Sequence, residues 1–137
     1  MSQSYQELFY HLVWSTKNRE PMINEEIKPV LIEVLKAKAV NLGCRIIALN
    51  CVPDHVHILL VIPPKLTVSM AINGLKGLSS HEMKPYRQDF TWQHGYGIFT
   101  LRYSDLPMVE EYVKNQEKHH KIGTTVESWE APDENVG

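Results

Sequence analysis

Residues 45–62 have the sequence RIIALNCVPDHVHILLVI, which contains two apolar runs with the length and branched composition of β-strands. The runs are residues 45–52 and 55–62, and Pro53 and Asp54 between them are typical turn residues. Two strands joined by so short a turn pair with each other, so this stretch predicts an antiparallel hairpin.

The segments on either side of the hairpin show helical patterns. Apolar residues recur at helical spacing over residues 27–42 and again over residues 67–83. Gly43 is a suitable stop for the first helix, and Thr67 is a suitable N-cap for the second. Because proline disrupts a helix interior, Pro29 requires that the first helix begin near residue 27 or have a distorted first turn.

Two more strands and a last helix complete the order of elements. The strands are predicted at residues 8–15 (LFYHLVWS) and 95–103 (GYGIFTLRY), and the helix at residues 105–121. The order β-α-β-β-α-β-α is typical of a ferredoxin-like sandwich. We therefore expect an α+β fold in which an antiparallel four-stranded sheet carries two helices on one face, followed by a C-terminal helix.

Composition narrows the class of protein. The chain has 137 residues, 43% apolar and 22% charged, which suits one globular domain and excludes a disordered chain. No apolar run approaches the roughly 20 residues of a membrane-spanning helix, and the first residues lack a secretory signal, so we expect a cytoplasmic protein that does not enter the membrane. The net charge is −2, but residues 122–137 hold four of the acids and no Lys or Arg, so the remainder is slightly basic.

The two cysteines indicate no disulfide framework. Cys44 and Cys51 are seven positions apart near one predicted strand, and simple alternation places them on opposite faces, where they cannot bridge. The chain contains no other cysteine and therefore no CxxC metal pair.

His55 and His57 are candidate metal ligands. They are alternate residues of a predicted strand, so both imidazoles point to one face while Val56 and Ile58 point to the other. Two neighbouring neutral imidazoles can chelate a divalent cation. Two polar residues on a solvated sheet face are the alternative interpretation.

The last helix carries a candidate nucleophile. Tyr112 and Gln116 are one turn apart and share a helix face, and His120 lies one further turn along that face. A phenol can attack a phosphodiester when a cation holds the phosphate, and Gln116 or His120 could be a third ligand. A tyrosine that only packs in a core or an interface is the alternative.

Other residues are candidates for nucleic-acid contact. Lys76, Ser79 and Ser80 lie in the stretch LKGLSS, whose cation and small donors suit sugar-phosphate binding, although a solvated helix face explains them as well. Lys17 and Arg19 follow the first strand and could extend a basic track. Aromatic residues that could stack on unpaired bases, or in one case pack in the core, are Trp92, His94 and Tyr96.

Five stretches of the chain, in this order, resemble the small single-tyrosine HUH transposases of bacterial insertion sequences, the IS200-like transposases. They are LFYHLVWSTKNR, VPDHVHILLVIPP, LKGLSS, WQHGYGIFTL and EYVKNQEKHH. The likeness spans nearly the whole chain. It assigns residues 1–123 to a single-tyrosine HUH transposase domain and leaves residues 124–137 as a flexible acidic tail.

The resemblance implies a chemical role for four residues. His55 and His57 would be the HUH metal ligands, with Gln116 completing a Mg²⁺ or Mn²⁺ site. Tyr112 would be the nucleophile that cuts single-stranded DNA, keeps the 5′-phosphate as a phosphotyrosine and releases a 3′-OH. A later attack by a 3′-OH would rejoin the strands.

The resemblance also implies partners. The family acts on imperfect hairpins at the ends of the element, and Lys76, Ser79 and Ser80 match a stretch near the DNA, to which Lys17 and Arg19 are added as further contacts. A homodimer whose sheets join across the interface is expected, with no membrane partner. The Tyr helix in such a dimer often serves the partner's histidines.

Three other functions compete with a transposase. A domesticated relative would bind hairpin nucleic acid without cutting it. An RNA-binding ferredoxin-like domain would carry aromatic residues on the central strands, where this chain has His55 and His57. Hydrolysis by a zinc-bound water lacks a third His or Cys at the usual ligand spacing.

Overall fold

The computed structural model describes residues 8–115, in which four strands form one antiparallel sheet in the order β2-β3-β1-β4. The elements in chain order are β1 (Phe9–Ser15), a 3-10 turn (Lys17–Arg19), α1 (Ile27–Asn41), β2 (Arg45–Val52), β3 (His55–Val61), α2 (Val68–Met83), β4 (Gly97–Leu101), a second 3-10 turn (Tyr103–Asp105) and α3 (Leu106–Lys114). This connectivity and strand order confirm the predicted ferredoxin-like fold and the predicted hairpin.

Helices α1 and α2 bury the main apolar core against one face of the sheet. Leu12 of β1 and Ile58 of β3 point to this face because successive strand residues alternate. They form one cluster with Leu35 of α1 and Leu75 of α2, and all four side chains are completely buried. The prediction of two helices on one face is therefore confirmed.

Both ends of α1 are explained by local chemistry. The side-chain oxygen of Asn24 accepts hydrogen bonds from the backbone N–H groups of Glu26 and Ile27, at 3.0 and 2.9 Å. The helix begins at Ile27, so Pro29 lies in the first turn, where a missing N–H costs nothing. Gly43 follows the helix with φ +83°, a conformation that glycine adopts without steric cost, and it ends the helix as predicted.

A β-bulge changes the faces of β2. The pairing with β3 shifts between Ile46 and Ala48, so the strand contains one extra residue there, and alternation starts again beyond it. As a result Cys44 and Cys51 both belong to the core cluster beneath the helices. The prediction that they lie on opposite faces is wrong because alternation does not reveal a bulge. Neither cysteine forms a disulfide.

Helix α3 lies against the other face of the sheet. Its residues Val109 and Val113 form a small buried cluster with Ala48 of β2 and Leu59 of β3. The side-chain amide of Asn50 in β2 also donates to the carbonyl oxygen of Val113, 3.2 Å away. Apolar packing and a hydrogen bond therefore fix the C-terminal turn of α3 over the hairpin.

The fourth strand is shorter than residues 95–103. Gly95 has φ +95°, outside the extended region, so the strand begins at Gly97. At its far end the Asp105 carboxylate accepts the backbone N–H of Arg102 at 3.4 Å, which closes the turn that precedes α3. The turn closed by Arg102 and Asp105 therefore ends β4 at Leu101, two residues before the end of the predicted strand.

The last helix is described over part of its predicted range. Leu106–Lys114 lies within the predicted residues 105–121, whereas the end of that range, the domain boundary at residue 123 and the acidic tail lie outside the described residues. Within residues 8–115, no helix has the length and apolar character that crossing a membrane requires.

The Thr67 side chain caps α2 by accepting the backbone N–H of Met70 at 3.1 Å. We expect Thr67→Ala to lower the free energy of unfolding by about 1 kcal/mol because this N–H loses its partner. Urea denaturation followed by circular dichroism measures the change. Thr67→Ser keeps the oxygen and serves as the control, so equal destabilisation by both substitutions would contradict the capping role.

Candidate functional site

His55 and His57 lie on the face of β3 that points away from α1 and α2. They alternate with Val56 and Ile58, which belong to the core cluster on the opposite face. Both imidazoles are completely buried, and their ring centroids are 5.0 Å apart. This burial excludes the alternative interpretation of two polar residues on a solvated sheet face.

His11 of β1 belongs to the same cluster, although the sequence analysis did not single it out. Its Nε2 lies 2.8 Å from Nδ1 of His57, and the residue is completely buried. Val13 pairs with His57 and His11 pairs with Leu59, so the two histidines are diagonal neighbours on one face. The available signal was one histidine in the apolar stretch LFYHLVWS, and only the strand register reveals its neighbour.

Tyr112 of α3 packs on these histidines. Its ring centroid is 5.9 Å from that of His57 and 6.5 Å from that of His11, both in edge-on arrangements. Only 5% of the residue is exposed. Because Val109 and Val113 hold α3 on the sheet, the adjoining side of the helix carries Tyr112 to the central strands. One chain therefore brings the predicted nucleophile and the two predicted ligands together.

Asp54 links His55 to the loop after β1. Its Oδ1 accepts a hydrogen bond from His55 Nδ1 at 2.6 Å, and its Oδ2 accepts one from Arg19 Nε at 3.3 Å. Burial raises the pKa of Asp54, but the hydrogen bonds and charges of His55 and Arg19 outweigh burial and hold that pKa below its usual value. The carboxylate is therefore ionised at neutral pH and holds the His55 ring in place.

The loop after β1 exposes Lys17 and Arg19 in a fixed backbone conformation. Asn18 and Arg19 have φ values of 57° and 55°, the left-handed region that non-glycine residues rarely adopt. Hydrogen bonds hold the loop, because Lys17 N donates to the Thr91 carbonyl and Asn18 N donates to the Gln93 side chain, both at 2.9 Å. Both predicted contact residues are thus accessible on an ordered loop.

The Lys76 side chain forms hydrogen bonds within the protein. Its Nζ donates to the carbonyl oxygens of Gln93 and Gly95, at 2.8 and 2.9 Å. Burial lowers the pKa of this ammonium group. The Lys76 side chain therefore fixes the segment that precedes β4, next to the exposed loop after β1.

Ser79 and Trp92 are buried against each other. Ser79 is fully buried, and its Oγ accepts the indole N–H of Trp92 at 2.9 Å and donates to the Leu75 carbonyl at 2.6 Å. Trp92 is 8% exposed and packs edge-on against Trp14 and Phe90. Burial argues against the predicted DNA contact of the Ser79 side chain and, of the two interpretations of Trp92, supports packing in the core over base stacking.

The remaining nucleic-acid candidates lie nearer the surface. Ser80 is partly exposed, and its hydroxyl donates to the Gly77 carbonyl at 3.1 Å. His94 is exposed, whereas Tyr96 is partly buried and packs on the edge of the main core. Ser80 and His94 therefore stay accessible to a ligand.

The donor set of the buried cluster fits part of a cation site. His55 and His57 each use Nδ1 for a hydrogen bond with the protein, an arrangement typical of histidines that present Nε2 to a metal. The predicted third ligand, Gln116, lies outside the described residues, as does His120. Among residues 8–115, no three His, Cys, Asp or Glu side chains form a group that could hold a metal ion.

The arrangement suits phosphodiester chemistry. Two imidazoles can bind a divalent cation, and a phenol beside them can attack a phosphate that the cation holds. The exposed Lys17 and Arg19 give a nearby positive charge for a nucleic-acid backbone.

Comparison with known families and proteins points to one group. The family described as "Transposase IS200 like" matches residues 4–116. The chain is 31% identical over 122 residues to the transposase for insertion sequence element IS200 of Salmonella typhimurium, covering 83% of this chain and 80% of that protein. It is 29% identical over 118 residues to the ISDra2 transposase TnpA of Deinococcus radiodurans, covering 80% and 84%.

Solved structures share the fold. A crystal structure of a candidate transposase from Deinococcus radiodurans has a TM-score of 0.69 and 27% identity, covering 85% of this chain and 96% of that one. A REP-associated tyrosine transposase bound to a REP hairpin has a TM-score of 0.64 and 15% identity, covering 91% and 76%. At that identity, the second likeness concerns the fold alone.

We expect Ser79→Ala to lower the free energy of unfolding by about 1–3 kcal/mol because it leaves the buried indole N–H of Trp92 without its acceptor. Ser80→Ala removes a hydroxyl one position along the same helix and serves as the control, with an expected change within about 0.5 kcal/mol. Urea unfolding followed by tryptophan fluorescence compares the two. Equal stability of both variants would contradict the structural role of Ser79.

Proposed function

Because the chain belongs to the IS200-like transposase family, we propose that it is a metal-dependent transposase that cleaves and rejoins single-stranded DNA at hairpin-bearing element ends. The reaction proceeds through a 5′-phosphotyrosine on Tyr112. The observation that carries the proposal is the 5.9 Å separation between the rings of Tyr112 and His57 in one buried cluster. A phenol placed beside two histidines suits attack on a phosphate held at the same place.

Tyr112 is the proposed nucleophile of the cleavage step. Its phenolic oxygen loses a proton and forms a bond to phosphorus, while the bond from phosphorus to the 3′ oxygen breaks and that oxygen takes up a proton. The products are a protein-bound 5′-phosphate and a free 3′-OH. Attack by a 3′-OH on the phosphotyrosine reverses these changes, so rejoining requires no ATP.

The proposed ligands of the cation, Mg²⁺ or Mn²⁺, are His55, His57 and Gln116. The cation would hold a non-bridging phosphate oxygen and stabilise the negative charge that develops during attack. The two imidazoles supply nitrogen ligands, and an amide oxygen from Gln116 would supply the hard donor that these ions prefer.

Access to Tyr112 depends on α3. The phenol is almost completely buried, so a scissile phosphate reaches it only when α3 shifts or opens. Within residues 8–115, the buried apolar cluster between α3 and the sheet is small and contains Val109, Val113, Ala48 and Leu59. A contact of that size allows local movement without unfolding of the main core.

The proposed DNA interface lies beside the buried cluster. Lys17 and Arg19 are exposed on the ordered loop and suit phosphate contact, and Ser80 adds a hydroxyl on α2. Lys76 contributes by fixing the segment that contains Gln93 and Gly95. Hairpin DNA is proposed as the ligand class because the chain belongs to the IS200-like transposase family.

The oligomer and the location are also proposed. The strand order leaves β2 and β4 at the edges of the sheet, and an edge strand is a ready site for pairing with a second copy. A homodimer joined through the sheets stays a prediction. A cytoplasmic location, where DNA would be the substrate, stays a prediction as well.

A hairpin-binding relative that does not cut DNA is the second candidate. It would keep the exposed loop and bind hairpins without metal and without Tyr112. The buried packing of Tyr112 against His11 and His57 favours the enzyme, since binding alone requires no phenol in that place.

We expect the protein, given Mg²⁺ or Mn²⁺ and a hairpin-bearing single-stranded oligonucleotide from the flanks of its gene, to form a covalent protein–DNA adduct. Tyr112→Phe abolishes the adduct because the nucleophilic oxygen is gone, and a chelator abolishes it because the phosphate loses its cation. Denaturing gel electrophoresis with 5′- and 3′-labelled DNA measures adduct formation and shows which strand end is retained.

Tyr103→Phe is the matched control for this experiment. Tyr103 is 76% exposed and lies outside the histidine cluster, so its substitution leaves adduct formation unchanged. An adduct that persists in Tyr112→Phe would contradict the assigned nucleophile. Hairpin binding with no adduct in the wild type, under any divalent metal, would favour the non-catalytic candidate.

Placement of Tyr112 on the histidines of its own chain predicts that each subunit uses its own tyrosine. Heterodimers of His57→Ala and Tyr112→Phe subunits, isolated through two different tags, are therefore expected to stay inactive in the adduct assay. Heterodimers of wild-type and Tyr112→Phe subunits provide the positive control. Adduct formation by the doubly deficient pair would show instead that the tyrosine acts on the partner's cluster.

A further inference from the structure

We propose that His11 is a positioning residue that fixes the tautomer and the orientation of His57 so that Nε2 of His57 binds the cation. The inference rests on the proposed function, because it assigns His57 as a ligand. It adds a residue from a different strand to the site and gives it a role distinct from that of a ligand.

The geometry between the two rings is that of a hydrogen bond in the ring plane. His11 Nε2 and His57 Nδ1 are 2.8 Å apart, the interplanar angle is 29°, and the centroids are separated by 5.0 Å. That separation is close to the sum of the N–N distance and the two ring radii, so the rings meet nearly edge to edge. The register of β1 with β3 fixes this meeting, because it makes the two residues diagonal neighbours.

The hydrogen bond offers a partner to a proton on Nδ1 of His57. A neutral imidazole has one N–H and one lone pair, so binding a cation through Nε2 requires the proton on Nδ1. The His57 Nδ1–H then donates to His11 Nε2, which accepts only when the proton of His11 is on its own Nδ1. Without an acceptor at this place, a buried N–H would lack a partner, and that tautomer would be disfavoured.

His55 shows the same pattern with a different partner. Its Nδ1 donates to the Asp54 carboxylate at 2.6 Å, so both proposed ligands are held through Nδ1 and both present Nε2. Outer hydrogen bonds of this kind orient metal-binding histidines in proteins generally. Two elements, β1 and the turn before β3, thus supply matching partners for the two ligands.

Simple core packing does not account for an imidazole at position 11. The His11 ring is completely buried, with Phe99 at a centroid distance of 5.8 Å and Tyr112 at 6.5 Å. An apolar side chain would fill this aromatic environment without the desolvation cost of a polar ring. The role of a third ligand is also excluded for Nε2 in this arrangement, because Nε2 faces Nδ1 of His57 at hydrogen-bond distance.

The test is the affinity of the full chain for Mn²⁺ without DNA, measured by electron paramagnetic resonance and by calorimetry. We expect His11→Phe, which keeps an aromatic ring but removes the nitrogen that accepts from His57, to weaken Mn²⁺ binding about 10- to 100-fold. His11→Gln places an amide oxygen near the position of Nε2, and we expect it to restore most of the affinity. Thermal unfolding and circular dichroism verify that each variant is folded.

The outcomes separate this inference from the proposed function. A wild-type chain that does not bind Mn²⁺ refutes the metal site itself, and the inference with it. Wild-type affinity in His11→Phe overturns the inference alone, and so does a His11→Gln variant as weak as His11→Phe.

A measurement on the wild type covers the case in which His11→Phe does not fold. Nitrogen-15 NMR of the Mg²⁺-loaded chain reports the tautomer of each histidine ring. We expect the proton of His57 on Nδ1 and that of His11 on Nδ1, and a His57 protonated on Nε2 would overturn the inference.

Discussion

Three imidazoles lie completely buried on one face of the two central strands, and each must be hydrogen-bonded there. A buried polar group without a partner costs about 1–3 kcal/mol, so three unpaired rings would remove much of the stability of a small domain. The sheet supplies a partner for one nitrogen of each ring, because the strand register places His11 Nε2 beside His57 Nδ1 and the turn before β3 places Asp54 beside His55 Nδ1. The chemistry of the site is thus built into the strand pairing.

Helix α3 covers this face of the sheet. The described residues of α3 contact the sheet through Val109 and Val113, with Leu106 packed beside them. The Asn50 side chain fixes the C-terminal turn of α3 by donating to the backbone carbonyl of Val113. This hydrogen bond does not depend on any side chain of α3. Among the described residues, the buried cluster that holds Tyr112 against the histidines has four members, whereas the core on the opposite face has twenty.

The sequence predicts the architecture well because each element has a local signal. The apolar alternation of the hairpin, Gly43 after α1 and the cap at Thr67 all correspond to the observed elements. The bulge in β2 has no such signal, since it depends on how the strand pairs, and for that reason the faces of Cys44 and Cys51 were predicted incorrectly.

The functional site was partly predictable, because some of its residues have a local sequence signal and others do not. The spacing of His55 and His57 is local, whereas the contact of His11 with His57 spans 46 positions and appears only in the register of β1 with β3. Ser79 was misplaced because LKGLSS suggests a donor-rich surface, while the helix turns this hydroxyl inward to the indole of Trp92.

The Asp54 carboxylate joins the buried cluster to the surface. One of its oxygens accepts from the buried His55, and the other accepts from Arg19, whose side chain is 48% exposed. Arg19 reaches this position from a left-handed backbone conformation, which is held by hydrogen bonds from the neighbouring loop residues to Thr91 and Gln93. Backbone strain is tolerated where surrounding contacts determine it, and such strain concentrates at functional sites. The proposed DNA-contact loop and the proposed metal ligand are therefore parts of one hydrogen-bonded unit, because the same carboxylate orients both.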